Sequence, residues 1–281
     1  MSSTTLPDKT FPEKDDVIDI ETLYEQEERI PVPEVILHYE SFMPVSRGKE
    51  PNLVGLAQAD LDRLIGKKFF NDEVVDFGLS VWYERFLASS QRNLRLQVYS
   101  TFFYRTYREK GYQGVARWCR RISPFDQDCI IIPASHNKHW FALIICNPRA
   151  LLVPEQGSTS CTIICMDSLG YDRPASRKHA LNWLRDEYNT RLLQGDIGSV
   201  QSKDIPCAQQ PNGYDCGPYM IHNISCFVRH FKVVMNHIQG LPDSSGTLRD
   251  VDIWQPDLAK ILRPNLQTHA QRCLRTSQQK P

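Results

Sequence analysis

The chain has 281 residues, enough for one large domain or two small ones around a real core, and its apolar (41%) and charged (23%) fractions are those of a water-soluble globular protein. Net charge is zero but uneven: residues 1–35 hold three basic residues (Lys9, Lys14, Arg29) against ten acidic ones, net −7, so the remainder carries +7. The nine cysteines include no Cys-x-x-Cys pair and follow no regular spacing, which argues against a disulfide framework or a zinc site and for a reducing compartment.

No segment reads as a signal peptide or is long enough to span a bilayer, so the chain is expected to be intracellular, with no membrane partner and a monomer as the simplest state. The mildly basic body suits an acidic macromolecular partner without requiring nucleic acid.

Residues 1–34 are rich in Ser, Thr, Pro, Asp and Glu and are expected to form a largely disordered leader. Within it, Val17-Ile18-Asp19-Ile20 follows Asp15-Asp16 and precedes Glu21. Such a β-branched island among acids suits strand addition to a partner's sheet edge. It reads equally as a chance apolar patch, or as the first turns of a helix continuing to Glu28. The folded domain is expected over 35–276, with a polar tail at 277–281.

Val35–Tyr39 reads as a short strand and Leu56–Leu64 as a small helix. A longer helix follows, with Asn71 or Asp72 as N-cap and a wide apolar stripe from Val74 to Phe86. Gly78 inside that stripe implies close packing against a neighbour. Residues 98–122 interleave aromatics with six basic residues; without a nucleic-acid fold motif beside them, they read as a solvated helical face over buried rings. Cys129–Pro133, His139–Cys146 and Cys161–Met166 are continuous apolar runs of strand length, as expected of strands buried on both faces. Residues 148–160 read as a loop, Arg177–Leu193 as a helix, and Val200 as the start of a short segment. A last helix is expected over Asp257–Leu274, interrupted at Pro264. Strands in the middle with helices around them make an α+β or mixed α/β domain.

The chemistry concentrates in Gln209-Gln210-Pro211-Asn212-Gly213-Tyr214-Asp215-Cys216-Gly217-Pro218. Turn formers precede Cys216, and an apolar-periodic helix follows it. A cysteine at a helix mouth feels the positive end of the helix dipole, which favours thiolate. A thiol nucleophile needs a base, and the base needs an orienting group. His139 starts a buried strand, and His136, three residues earlier, is its rival. Asp167 ends the next strand; antiparallel pairing of the two strands would bring His139 and Asp167 together. A tyrosine-phosphatase-type Cys-x5-Arg loop is excluded, because the sixth residue after Cys216 is His222.

Asp-Cys-Gly preceded by Gln-x-Asn-Gly, His-Trp at one strand start and Asp-Ser-Leu at the next strand's end resemble the Ulp/SENP family of SUMO-specific cysteine proteases. The resemblance runs from about Val35 to the C-terminal helix and includes Phe69-Phe70-Asn71-Asp72-Glu73-Val74-Val75-Asp76-Phe77. It implies an α+β, papain-like (circularly permuted) fold with a central mixed β-sheet flanked by helices. It implies an isopeptidase that removes SUMO, or a related ubiquitin-like modifier, from lysine after Gly-Gly through a thioester, without cofactor or metal. Cys216 would be the nucleophile, His139 the base, Asp167 its orienting acid and Gln210 an oxyanion donor. Trp140 would wall a tunnel for the Gly-Gly tail, and Asp72 would meet a basic residue of the modifier. Val17-Ile18-Asp19-Ile20 resembles a SUMO-interacting motif. Phe69 stands where many members have a second tryptophan; with the 104–121 stretch and the 148–160 insertion, it resembles the divergent subgroup that edits poly-SUMO chains. Nuclear residence is a family-level expectation. Two alternatives remain: a catalytically silent SUMO-binding module, and a protease for a different ubiquitin-like modifier.

Overall fold

Three middle segments carry apolar side chains on both faces, and a sheet covered on both sides is the way to bury them. The computed structural model describes residues 34–41, 43, 52–90, 92–152, 160–192, 197–240 and 251–278. The leader, its Val17–Ile20 motif and the last residues of the tail lie outside them.

The central sheet holds β3 (Leu96–Val98), β4 (Cys129–His136), β5 (His139–Cys146), β6 (Cys161–Met166) and β7 (Val200–Asp204), in that spatial order. β4, β5 and β6 pair antiparallel, while β3 on β4 and β7 on β6 are parallel. This is the mixed sheet expected of an α+β domain. A separate antiparallel pair, β1 (Val35–Ser41) and β2 (Asn52–Ala57), lies apart from it. The second of these was not expected: its run is six residues long and broken by Gly55, where a Cβ would stand 2.8 Å from the Val35 side chain.

Alternation along the strands divides the core in two. Ile131, Ile144 and Ile164 face one cluster, built with α2 (Asp72–Leu87), α5 (Cys216–Arg229) and the C-terminal helices. Ile130, Ile132, Leu143, Ile145 and Ile163 face the other, covered by α3 (Phe102–Val115) and α4 (Pro174–Leu192). Cys161 and Cys165 share this second face. The basic stretch is a helix with Phe103 and Tyr104 buried and Arg105 and Lys110 exposed, bent at Gly111 with φ of 62°.

A short helix α1 (Gln58–Leu64) precedes α2. Asn71 is the N-cap of α2, its side chain accepting the Val74 N–H at 3.3 Å. Gly78 supplies the anticipated close approach: a Cβ there would stand 2.6 Å from Ile221 Cδ1 of α5. α5 is followed by α6 (Phe231–Gln239), α7 (Val251–Trp254), α8 (Pro256–Lys260) and α9 (Leu262–Gln278). The C-terminal break therefore falls at Ile261 and not at Pro264. Pro264 sits in the first turn of α9, where its missing N–H has no intrahelical partner to lose. α9 also continues to Gln278, past the residue where the tail was expected to begin.

Candidate active site

A two-residue turn, Asn137-Lys138, joins β4 to β5, and both residues have positive φ (50° and 62°), the conformation a tight type I′ hairpin demands. The turn pairs His136 with His139 across the hairpin and sets His139 as the first residue of β5. β6 runs antiparallel beside β5, with Ala142 opposite Met166, so the residue after Met166 arrives near the start of β5. That residue is Asp167. His139 Nε2 donates to Asp167 Oδ1 at 2.8 Å, and Cys216 lies near enough to the imidazole to raise its pKa. With Nε2 on the carboxylate, Nδ1 is left for the thiol. The rival His136 is exposed and meets the guanidinium of Arg108 at 3.3 Å, away from any carboxylate.

Electrostatics follow from this geometry. Burial opposes charge on His139, but Asp167 and Cys216 outweigh it and lift the imidazole to about 9. Burial alone would raise Asp167; its bonds from His139, the Leu169 N–H (2.8 Å) and Arg173 Nε (2.7 Å) hold the carboxyl below its usual range. The orienting acid is thus ionised and locked on both oxygens. Arg173 lies over the Phe141 ring at 4.6 Å and the Tyr171 ring at 5.2 Å, while Tyr171 meets the His139 ring edge-on at 6.2 Å.

Cys216 begins α5, its thiol wholly buried and 3.9 Å from the Lys138 carbonyl. The preceding loop is tied by Asn212: its Oδ1 accepts the N–H groups of Tyr214 (3.1 Å) and Asp215 (3.0 Å), and its Nδ2 donates to Asp215 Oδ2 (2.7 Å). This side-chain turn holds the residues between Gln210 and Cys216. Gln210 Oε1 accepts from Ser168 Oγ at 2.7 Å, and Nε2 donates to the Asn212 carbonyl at 2.5 Å. These bonds fix the amide's sense and use one of its two N–H groups. Gly217 is required by contact, since a Cβ there would stand 2.8 Å from Phe70 Cδ2.

The anticipated channel residues are more varied. Trp140 is almost fully buried, and its indole N–H donates to the Phe70 carbonyl at 2.9 Å, so it anchors the Phe69–Phe70 segment to β5. Phe69 is 42% exposed beside it. Asp72 faces Arg105 of this same chain at 3.8 Å. Sequence reasoning missed Arg173 and Ser168. Ser168 could have been found, because it lies inside the Asp-Ser-Leu motif; Arg173 carries no comparable signal. Among the described residues, no cluster of His, Cys, Asp and Glu could hold a metal ion.

The arrangement can deprotonate a thiol, keep the resulting imidazolium oriented and stabilise an oxyanion, which are the parts of acyl transfer through a thioester. A model described as the Ulp1 protease family, C-terminal catalytic domain, matches residues 68–248. A probable ubiquitin-like-specific protease 2A of Arabidopsis thaliana is 28% identical over 200 residues, covering 64% of this chain and 26% of that protein. Sentrin-specific protease 2 of Homo sapiens is 30% identical over 170 residues, covering 58% and 26%. The chain thus spans about a quarter of the length of these curated relatives. A crystal structure of a de-sumoylating protease aligns with a TM-score of 0.71 at 22% identity, covering 86% of this chain and 92% of that one, which shows a shared fold.

Proposed function

The chain belongs to the Ulp1 protease family, and from that premise we propose that it is a cysteine isopeptidase that removes SUMO from lysine after a Gly-Gly terminus. The observation that carries the reading is the connected line Cys216–His139–Asp167, closed at its far end by Arg173. The Cys216 thiolate attacks the Gly carbonyl, and the charge on oxygen is met by the free N–H of Gln210 and the Cys216 backbone N–H. His139 passes its proton to the departing lysine amine, leaving a thioester on Cys216. A water molecule, deprotonated by His139, then hydrolyses that thioester and releases the modifier's carboxylate.

Burial of Cys216 supports the substrate class, because a thin, unbranched tail such as Gly-Gly suits a thiol that is buried beside the Asn137-Lys138 turn. A SUMO-binding module would need neither the paired His139 nor an amide held by Ser168. Preference for poly-SUMO chains belongs to the same proposal, supported by Phe69 in place of a second tryptophan. Asp72 would meet the modifier's basic residue in exchange for Arg105, which is half exposed. Nuclear residence and the Val17–Ile20 docking motif enter as expectations of the family resemblance.

The test is release of SUMO from a lysine isopeptide conjugate, run beside the same conjugate of ubiquitin. SUMO release with ubiquitin untouched is the expected result. Cleavage of ubiquitin alone, or of neither, overturns the assignment.

A further inference from the structure

Arg263 is a charged side chain only 8% exposed, in the first turn of α9 and far along the chain from every residue of the site. A guanidinium is buried at a cost that only a complete set of acceptors offsets. Each of its three nitrogens has an acceptor. Nε donates to Asp215 Oδ1 at 2.8 Å, and Nη2 stands 2.7 Å from the same oxygen in the ion pair. Nη1 donates to the Arg63 carbonyl, and Nη2 reaches the carbonyls of Lys68 (2.9 Å) and Tyr214 (3.4 Å). The guanidinium plane also lies 4.4 Å from the centroid of the Phe70 ring.

These partners belong to two segments with different tasks. Tyr214 and Asp215 are the last residues before the nucleophile. Arg63, Lys68 and Phe70 belong to the end of α1 and the strip between α1 and α2 that carries Phe69. Phe70 is therefore held on three sides: by the guanidinium over its ring, by Gly217 beneath it and by the Trp140 indole on its carbonyl.

We propose that Arg263 is a positioning residue that sets the spacing between the nucleophile turn and the Lys68–Phe70 wall of the modifier channel. It acts on how the modifier tail is received and leaves the acid–base chemistry of Cys216 and His139 alone. The inference rests on the isopeptidase reading above, since it assigns the wall to the modifier's tail. Lysine cannot substitute: one ammonium has three donors and no plane, so it cannot serve four acceptors and stack on Phe70 together.

The test uses the full chain and Arg263→Lys, with two rates compared. One is alkylation of Cys216 by iodoacetamide, a probe small enough to reach the buried thiol without the contacts that the modifier tail makes. The other is turnover of a SUMO–Gly-Gly fluorogenic amide, resolved into kcat and KM. Arg263→Lys is expected to alkylate within about twofold of wild type and to raise KM by about tenfold or more at nearly unchanged kcat. Arg263→Gln, which keeps a planar amide but has only two N–H groups for four acceptors, is expected to show the same split and carries the test if Arg263→Lys does not fold. A fall in both rates in step with loss of folded protein by circular dichroism, or an unchanged KM, overturns the positioning role alone. A wild-type chain that alkylates yet turns over no SUMO substrate overturns the isopeptidase reading and this inference with it.

Discussion

α5 carries the cysteines of two cysteine–histidine pairs, and only one is arranged as a nucleophile. Cys216 opens the helix and acts on His139, whose Nε2 rests on Asp167. Cys226 lies in the last turn of the same helix, its sulfur 3.4 Å from His222 Nε2 and 3.5 Å from the Trp254 carbonyl. At that end the helix dipole disfavours negative charge. His222 Nε2 donates to the Trp254 carbonyl at 2.6 Å, so the nitrogen nearest the thiol already carries its proton and cannot accept another. Burial pushes the Cys226 thiol up to about 11, and burial also pulls His222 below its ordinary value, whereas His139 is lifted to about 9. Concavity does not decide the matter either, because Cys226 lines a cavity of about 460 Å³. Proximity of sulfur to imidazole is common to both pairs; a carboxylate behind the imidazole and the position on the helix separate them.

The largest way to break this contrast is at the thiols themselves. Cys216→Ala is expected to lower kcat/KM on a SUMO–lysine conjugate by at least about 10⁴-fold, whereas Cys226→Ala leaves it within about twofold. Next comes the carboxylate. Asp167→Asn should lower kcat/KM by about 10²- to 10⁴-fold. In wild type, the alkaline limb of the rate profile should lie near pH 9, where the imidazolium is lost, and in the variant it should move down towards 6.5. The same pair contributes stability. His139 titrates near 9 when folded and near 6.5 when unfolded, so that contribution is complete below pH 6.5 and is lost as pH rises through 9. Melting temperatures measured from pH 6 to 10 should show the loss in wild type and not in Asp167→Asn.

Gln210→Ala removes the oxyanion donor and should cost about 10²- to 10³-fold in kcat with little change in KM. Gly217→Ala should destabilise by about 1–3 kcal/mol, read from denaturant titration, because the new methyl meets Phe70. The smallest effect belongs to the second pair: Cys226→Ala should cost about 1 kcal/mol of stability, as loss of a small buried hydrophobe.

The sequence made the groups of the proposed site legible because each sits at an element boundary marked by local pattern. Cys216 follows a run of turn formers, while His139 and Asp167 bound apolar strands whose antiparallel pairing brings them together. Gly78 was legible for a similar reason, as an interruption in a buried stripe. What supports these groups was not legible. Arg173 and Arg263 look like surface charges in the sequence, and nothing local says that one will meet Asp167 and the other Asp215. Asp72 could be assigned to a modifier, but only the packing of α3 reveals that Arg105 reaches it first. β2 escaped because a six-residue strand broken by glycine has too little periodicity to register. The C-terminal break was misplaced for a physical reason: proline ends a helix in its interior but is accommodated in its first turn.

Mapping of a covalent adduct tests the central claim most directly. The full chain is treated with SUMO carrying an electrophile at its C-terminus, and the modified residue is located by mass spectrometry. One adduct on Cys216, absent in Cys216→Ala and undiminished in Cys226→Ala, is the predicted result. An adduct that persists in Cys216→Ala, or no adduct on the wild-type chain, would contradict the account.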